Sequence, residues 1–358
     1  MHTKHGNISP RPGFSRAVDD WVQYLEVNKG RSPLTAAKYA GHLAKLEQYA
    51  NESGLDPWDL SLEQLEHFAG LVAHSMGLKP RSRRPLVAAL RGFFQWAARA
   101  GHVNESAARG LEYPSHGRRL PRPAQLATAE KLLMQPDITT FTGLRDAAMI
   151  ATLIGCGLRV SGLCNMNRGH LLLTEIDGAE RMILVVSEKG NHERHQPVPV
   201  EAAVLIRAYL ASPELLEIDA NLESGDQVMW VTTNNRLVAP EDYHGEVRRI
   251  STRTVHDMIA TYGDRAGLPK DQCHPHALRH LFATELAESD IDIQQRQALM
   301  GHKDMRSTAI YTHVAIRRQV RAVDTGNPLT KMKGTVVQDA RRLAEKLKAR
   351  APLSPDGS

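Results

Sequence analysis

The stretch from residue 159 to residue 311 carries six polar side chains at the ends of predicted elements, and their chemical types complement a phosphate group. They are Arg159 after the turn GCGL, Lys189 in the turn EKGN, His276 and Arg279 in HPHALRH, His302 after Gly301, and Tyr311. None of the six is a carboxylate, which indicates an anionic substrate. Two guanidinium groups can each form bidentate hydrogen bonds to the non-bridging oxygens of a phosphate, and these bonds strengthen as charge builds in a pentacoordinate transition state.

A phenol gives this set a nucleophile. A free phenol has a pKa near about 10 and attacks poorly at neutral pH, but nearby cations make its phenolate easier to form. Tyr311 could then attack phosphorus, Lys189 on a flexible hairpin could protonate a leaving alkoxide, and His276 could move the proton of the nucleophile. His302 would donate a hydrogen bond to the same phosphate. The residue types therefore predict phosphoryl transfer.

Each of these residues also has a simpler interpretation. Taken singly, Arg159 is typical of a surface residue and Tyr311 of a buried ring with a hydrogen-bonded hydroxyl. His276 and His280 lie four residues apart, and with His274 they could form a metal site, although no acidic ligand is near in the sequence. It is far less expected that all six residues fall at element ends by chance than that they form one shared site.

Five motifs in order extend this interpretation to a family. The motifs GCGLRVSGL, SEKGN, HALRHLFAT and LMGH, followed nine residues after His302 by the tyrosine of YTHV, resemble those of the tyrosine recombinase (phage integrase) family, in a Xer-like form. The resemblance covers about residues 126–320. The helical first domain resembles the core-binding, SAM-like domain of the same family.

The resemblance implies a specific reaction. The protein would cut and rejoin DNA through a 3′-phosphotyrosyl link at Tyr311 and a Holliday junction, without metal or nucleotide cofactor. Arg159 and Arg279 would hold the phosphate, Lys189 would be the general acid, His276 would assist proton transfer, and His302 would support the phosphate.

The resemblance also implies partners. These are double-stranded DNA with short inverted-repeat core sites and a homotetramer on two such sites, formed from monomers or dimers. A related recombinase or an accessory factor could join them. The biological role would be integration and excision of a mobile element, or Xer-like resolution of dimers.

Two departures from the family pattern stand out. The position three residues after Arg159 is usually acidic in this family and is Gly162 here. Lys189 is the least certain assignment, because lysines in hairpins shift in register and the usual second basic residue of the turn is His192. The loss of the acidic residue leaves one alternative open, a DNA-binding or architectural protein on the same fold that no longer cuts. The histidine cluster leaves another, a metal-dependent phosphodiesterase.

The elements that must position these residues are mainly helical. In the first hundred residues, Ser32 and Pro33 are typical of a helix start, and Ser61 and Gln64 have capping-box spacing. A helix beginning at Arg84 is predicted to end at Gly101. Together these indicate a small helical bundle over residues 1–110.

A linker and a second domain follow. Residues 111–125, with three prolines and three arginines, are typical of a linker. Residues 126–325 predict a catalytic domain with a helix at FTGLRDAAMIATLIG and three strands at LLLTE, RMILVVS and HQPVPV. The fold class is therefore mainly α with a small antiparallel sheet (α+β). Residues 326–358 form a basic tail whose amphipathic helix could fold back on its own domain or dock on a neighbour.

Charge is concentrated at the two ends of the chain. The net charge is +5, with 14 basic and 10 acidic residues in 1–110 and 7 basic and 3 acidic in 326–358. Basic residues before a helix and in the linker predict phosphate contacts, with a solvated loop as the alternative. The predicted DNA-binding residues are Lys79, Arg81, Arg83, Arg84, Arg118 and Arg119.

The three cysteines form no CxxC pair, which argues against a disulfide framework and a zinc ribbon. The longest apolar run, roughly residues 147–158, is far shorter than the ~20 residues that span a bilayer. The sequence therefore predicts a cytoplasmic, nucleoid-associated protein with no membrane partner.

Overall fold

A computed structural model describes residues 11–115, 123–188, 192–235, 237–289, 291–301 and 313–350. The chain divides into two compact units, Met1–Arg119 and Leu120–Ser358, each with its own hydrophobic core. Arg118 and Arg119 of the predicted linker lie outside the described residues. None of the described helices is both long and apolar enough to span a bilayer.

The first unit is a helical bundle around a core of aromatic rings. The ring of Phe93 lies at the centre of this core, with centroid distances of 5.1 Å to Phe14, 5.6 Å to Trp21 and 5.7 Å to Trp58. The capping box predicted for Ser61 and Gln64 is formed. The helices are α1 (Phe14–Val27), α2 (Pro33–Glu52), α3 (Leu62–His67), α4 (Ala73–Ser75) and α5 (Pro80–Arg99).

Helix α5 begins earlier than the sequence predicts. Its first helical residue is Pro80, so the basic stretch from Lys79 occupies the cap and first turns instead of a loop before the helix. Both Pro80 and Pro85 are compatible with a helix start, because proline lacks only an N–H that the first turn does not need. The predicted start at Arg84 lies next to the second of these prolines, whereas the helix begins at the first.

The second unit is built around α7. Nearly every residue of this helix from Arg145 onward is buried, and it packs between α9 and α12. A helix that is apolar on all sides is stable only inside a core, which explains its central place. The helices are α6 (Leu126–Leu133), α7 (Phe141–Cys156), α8 (Val160–Cys164), α9 (Val200–Leu210), α10 (Pro213–Leu216), α11 (Thr252–Arg265), α12 (Pro275–Glu288), α13 (Ile293–Met300), α14 (His313–Gly326) and α15 (Thr335–Arg350).

A three-stranded antiparallel sheet lies in the same unit, in the order β1 (Leu171–Ile176), β2 (Ala179–Glu188) and β3 (His192–Pro197). The first turn places Asp177 and Gly178 at positive φ, the conformation that favours Asp-Gly in two-residue hairpins. Strand β3 begins and ends three residues earlier than HQPVPV predicts. Pro199 caps α9 instead, so the strand cannot extend through it. The predicted fold class is confirmed.

The C-terminal segment packs on its own unit, which is one of the two arrangements left open by the sequence. The side chains of Leu329, Met332, Val336 and Val337 belong to the main core of the second unit. Carboxylates from three helices of the body hold this segment. Glu285 pairs with Lys331, Glu130 accepts the backbone N–H groups of Lys333 and Gly334, and Glu201 accepts from Arg341 at 2.8 Å.

Candidate active site

Arg279 lies in the first turn and a half of α12 and is only 5% exposed. One guanidinium nitrogen donates to the Gly157 carbonyl at 2.5 Å, and another donates to the Met300 carbonyl. These two carbonyls belong to the ends of α7 and α13. Arg279 therefore connects the ends of α7 and α13. In the chain, Arg159 follows Gly157 by two residues, and His302 follows Met300 by two residues.

The turn that precedes Arg159 depends on a glycine. Helix α7 ends at Gly157 in the left-handed conformation, with φ of +58°. A Cβ atom at this position would overlap the ring of Phe282, so glycine is required both for conformation and for space. Two residues later, Arg159 is the exposed N-cap residue of α8. The tight turn thus puts Arg159 two residues after the carbonyl that Arg279 holds, and the Arg159 charge acts on Arg279.

His276 lies in the same helix as Arg279. Its ring centroid is 4.4 Å from that of His280, one turn further along. Burial lowers the pKa of His276, and the charges of His280, Arg279, His274 and Arg159 lower it further. His276 is therefore held in its neutral form, which can accept a proton.

His274, the third histidine of the cluster, has a structural role. Its Nδ1 atom accepts the backbone N–H of Ala277 at 3.1 Å and so caps α12. One ring nitrogen that a metal ion would need is thus occupied. Within the described ranges, no group of three or more His, Cys, Asp or Glu side chains is arranged to bind a metal.

The electrostatics of this cluster favour an anion. Burial, and then the charges of Arg159 and Arg194, lower the pKa of Arg279 to about 9. A guanidinium still carries its proton at neutral pH, so Arg279 keeps its positive charge although it is buried close to two other cations. A phosphate bound here would bring a negative charge to this group of cations.

Three predicted residues come together in this cluster, Arg159, His276 and Arg279. The other three, Lys189, His302 and Tyr311, lie outside the described residues. The structure does describe the elements that flank them. Lys189 follows β2, His302 follows the left-handed Gly301 that ends α13, and Tyr311 precedes α14.

Gly162, the departure from the family pattern, faces the sheet. A Cβ atom at this position would lie 3.3 Å from Cγ1 of Val186 in β2, a tight but tolerable contact. A larger side chain would therefore have to pass alongside β2.

Arg194 is a functional candidate that the sequence interpretation missed. It lies in β3, is 7% exposed, and donates to the Leu299 carbonyl at 2.8 Å. The predicted strand HQPVPV began after this residue and so left it in a loop. The burial of Arg194 and Gln196 on one face follows from the strand itself, because side chains two apart share one face, and no feature of the sequence marked it.

The predicted DNA-binding residues of the first unit differ in their surroundings. Lys79 and Arg81 are exposed. Arg83 is half-buried and donates to the Gly70 carbonyl at 3.0 Å, within a π-helical turn at residues 68–72. Arg84 is exposed and its guanidinium lies 5.0 Å from the centre of the Tyr113 ring. Arg83 is thus engaged within the unit, whereas Lys79 and Arg81 face solvent.

Sequence comparison identifies related proteins for both units. Residues 127–318 match the family model described as "Phage integrase family", and residues 18–101 match "Phage integrase, N-terminal SAM-like domain". The chain is 30% identical to tyrosine recombinase XerC of Proteus mirabilis over 320 residues, which are 89% of this chain and 95% of that protein. It is 31% identical to XerC of Yersinia pestis over 321 residues, 88% and 95% of the two chains.

Solved structures share the fold at lower identity. The XerH recombinase bound to its difH substrate, in a pre-cleavage complex, matches with a TM-score of 0.57 at 17% identity, covering 85% of this chain and 80% of that one. A lambda integrase tetramer bound to a Holliday junction matches with a TM-score of 0.56 at 17% identity, covering 89% and 82%.

Proposed function

The chain belongs to the phage integrase family of tyrosine recombinases and is a site-specific DNA strand-transfer enzyme, and we propose that Tyr311 is its nucleophile. The observation that supports this assignment is the cluster of Arg159, His276 and Arg279, in which Arg279 is buried and is fixed by the carbonyls of Gly157 and Met300. Such a cluster suits a DNA phosphate. The segment that contains Tyr311 joins α13, whose end Arg279 holds, to α14.

Arg159 and Arg279 would bind the scissile phosphate. Arg279 donates to two backbone carbonyls, so its guanidinium is fixed before DNA arrives. Preorganised donors stabilise the charge of a pentacoordinate phosphorane without reorganising during the reaction. Exposed Arg159, at the start of α8, would close on the phosphate from the other side.

The proposed step balances as follows. The Tyr311 oxygen forms a bond to phosphorus, and the bond from phosphorus to the 5′-oxygen breaks. The phenolic proton passes to neutral His276, and Lys189 gives a proton to the leaving 5′-oxygen. His302 donates a hydrogen bond to a non-bridging oxygen. The freed 5′-hydroxyl of a second duplex then attacks the phosphotyrosyl bond, so no metal ion or nucleotide is consumed.

The proposed partners are double-stranded DNA with short inverted-repeat core sites and a homotetramer on two sites, assembled from monomers or dimers. The solved lambda integrase on a Holliday junction is a tetramer, which supports this assembly by similarity. Lys79, Arg81, Arg84, Arg118 and Arg119 would contact DNA phosphates. Arg83 would support the first unit from within, because its guanidinium already binds the Gly70 carbonyl.

The reaction would serve integration and excision of a mobile element, or Xer-like resolution of dimers, at the nucleoid. A related recombinase or an accessory factor could complete the complex. Sequencing of recombination junctions in DNA from cells distinguishes the two roles, because integration joins two different sequences whereas dimer resolution joins two copies of one site.

A trapping experiment tests the nucleophile. Purified protein is incubated with fragmented host DNA, covalent complexes are isolated in SDS, and the attached strand ends are sequenced. We expect attachment to 3′ ends, unchanged by EDTA, and loss of the complex in Tyr311→Phe. Tyr262→Phe is the matched control, because this phenol instead donates to Asp146 at 2.9 Å. Covalent complexes in Tyr311→Phe, or their loss with EDTA, would contradict the proposal.

A further inference from the structure

Two buried arginines meet at the C-terminal end of α13. Arg194 of β3 donates to the Leu299 carbonyl at 2.8 Å, and Arg279 of α12 donates to the next carbonyl, that of Met300. Leu299 and Met300 are the last two helical residues of α13. Only Arg279 belongs to the catalytic set proposed above.

These carbonyls need partners from outside the helix. The last four carbonyls of an α-helix have no intrahelical donor, and the C-terminal end carries partial negative charge. The side chains of Leu299 and Met300 are packed in a small core with Phe282 and Val323. A buried helix end without donors is costly, and guanidinium groups satisfy both the hydrogen bonds and the charge.

The position of this helix end depends strongly on such contacts. Helix α13 has only eight residues, fewer than a helix needs to be stable by itself. It ends at Gly301 in the left-handed conformation, and His302 follows at once. In the chain, Leu299 is thus only three residues from His302, and Tyr311 lies nine residues further along.

Strand β3 gives Arg194 a firm base. Its backbone pairs with Val186 of β2, and Gln196, fully buried on the same face, accepts a hydrogen bond from the same guanidinium nitrogen. The strand is thus held by the sheet, whereas α13 is a short helix outside it. Between the two, Arg194 restrains the helix end.

We propose that Arg194 is a positioning residue for DNA cleavage: by holding the Leu299 carbonyl it sets the end of α13, and with it the nucleophile segment, relative to Arg279. This inference rests on the proposed function of Tyr311. It assigns Arg194 to the nucleophile side of the reaction and not to the leaving-group side, although β3 also adjoins the Lys189 hairpin.

A modified substrate distinguishes an effect of Arg194 on the attacking nucleophile from an effect on the leaving group. A scissile phosphate with sulfur in place of the bridging 5′-oxygen releases a thiolate, and a thiol, with a pKa near about 8.5, leaves without a proton from a general acid. A defect in Lys189 should be rescued by this substrate. A defect in the placement of Tyr311 should not.

The experiment measures single-turnover formation of the covalent complex on both substrates at saturating protein, together with DNA affinity and melting temperature. The variants are Arg194→Met, Arg194→Lys, Lys189→Ala and Tyr311→Phe. Arg341→Met is the matched control, since Arg341 also donates to backbone carbonyls, those of Leu329 and Thr330, in the C-terminal segment.

We expect Arg194→Met to cleave about 10²-fold more slowly on both substrates, the size of effect that a displacement of about 1 Å can produce. DNA affinity should stay within a few fold. Arg194→Lys should recover part of the rate, because it keeps the charge but not the planar fork. Arg341→Met should lower the melting temperature and leave cleavage by the folded protein near the wild-type rate.

Several results would overturn the inference. They are wild-type cleavage by Arg194→Met, rescue of this variant by the sulfur substrate, or an equal loss in Arg341→Met. If Arg194→Met does not fold, the inference is tested with Arg194→Lys instead. Cleavage by Arg194→Lys at the wild-type rate would then refute the positioning role. Covalent complexes in Tyr311→Phe would instead refute the proposed function, so the two failures are distinguishable.

Discussion

At the scale of single residues, the candidate site groups cationic side chains around the buried Arg279. Arg279 binds carbonyls at the ends of two helices, and its charge is opposed by those of Arg159 and Arg194. Burial, followed by the charges of His280, Arg279, His274 and Arg159, lowers the pKa of His276. The site is thus prepared for an anion, and its acid–base groups are adjusted before DNA binds.

The lowered pKa of His276 predicts the pH dependence of cleavage. A proton acceptor works only when it is neutral, so the rate should fall as the pH drops through the pKa of His276. Because that pKa lies below the ordinary value of 6.5, the acidic limb should lie below pH 6.5. Single-turnover cleavage at protein concentrations too low to saturate the DNA reports on the free enzyme and measures this limb.

His276→Gln is the companion variant. This variant should cleave more slowly and should lack the acidic limb. His256 is an exposed histidine of α11, and His256→Gln should keep both the cleavage rate and the limb. A limb at or above pH 6.5 in the wild type, or its persistence in His276→Gln, would exclude His276 as the acceptor.

At the scale of elements, the C-terminal segment is part of the core of the second unit. Leu329 and Met332 are fully buried in that core, and Arg341 ties α15 to the turn that precedes it by donating to the Leu329 and Thr330 carbonyls. Glu201 and Glu130 hold the segment from α9 and α6. The segment therefore stabilises the catalytic unit within one chain.

Two leucine substitutions in this segment should differ in their effect on the free energy of unfolding, because one side chain is buried and the other is exposed. Leu329→Ala leaves a cavity in the core and should lower the free energy of unfolding of the second unit by about 2–5 kcal/mol. Leu343→Ala, at a position 45% exposed on α15, should change it by about 0.5 kcal/mol or less. Denaturant unfolding measures both. Equal effects of the two substitutions would show that the segment is not packed as described.

At the scale of the whole molecule, two units with separate cores can lose stability independently. His42 of α2 is 8% exposed, and its Nε2 atom makes no hydrogen bond within the described part of the chain. Burial, followed by the charges of Lys38 and Lys45, lowers the pKa of His42 to about 4. The first unit therefore contains a buried group that resists protonation.

Acid should destabilise the first unit through His42. Between pH 6.5 and about 4 the unfolded chain binds the proton and the folded unit does not, so the free energy of unfolding falls as the pH drops through this window. Above pH 6.5 there is no effect. The full loss is about 3 to 4 kcal/mol, since the pKa falls from 6.5 to about 4 and each pKa unit corresponds to about 1.4 kcal/mol.

Tryptophan fluorescence isolates this transition. Three of the four tryptophans, Trp21, Trp58 and Trp96, lie in the first unit, so a Trp230→Phe background reports on that unit alone. In this background His42→Leu should flatten the pH dependence between 6.5 and 4. An unchanged slope in His42→Leu would assign the acid sensitivity to other groups.

Local sequence determined the fold class, the helix caps and the chemical character of the site. The capping box of Ser61 and Gln64 and the Asp177-Gly178 turn depend on neighbours a few residues apart, and such contacts can be predicted from spacing. The types and order of Arg159, His276 and Arg279 likewise indicate an anionic substrate from the sequence alone.

Only the tertiary structure decided which groups meet. The contact between Arg194 and Leu299 joins residues 105 apart in the chain, and that between Glu201 and Arg341 joins residues 140 apart. Whether α15 packs on its own unit, and whether His274 caps α12, depends on what surrounds each group in space. Local spacing carries no information on such long-range pairs, because burial and hydrogen bonding arise only when the whole unit folds.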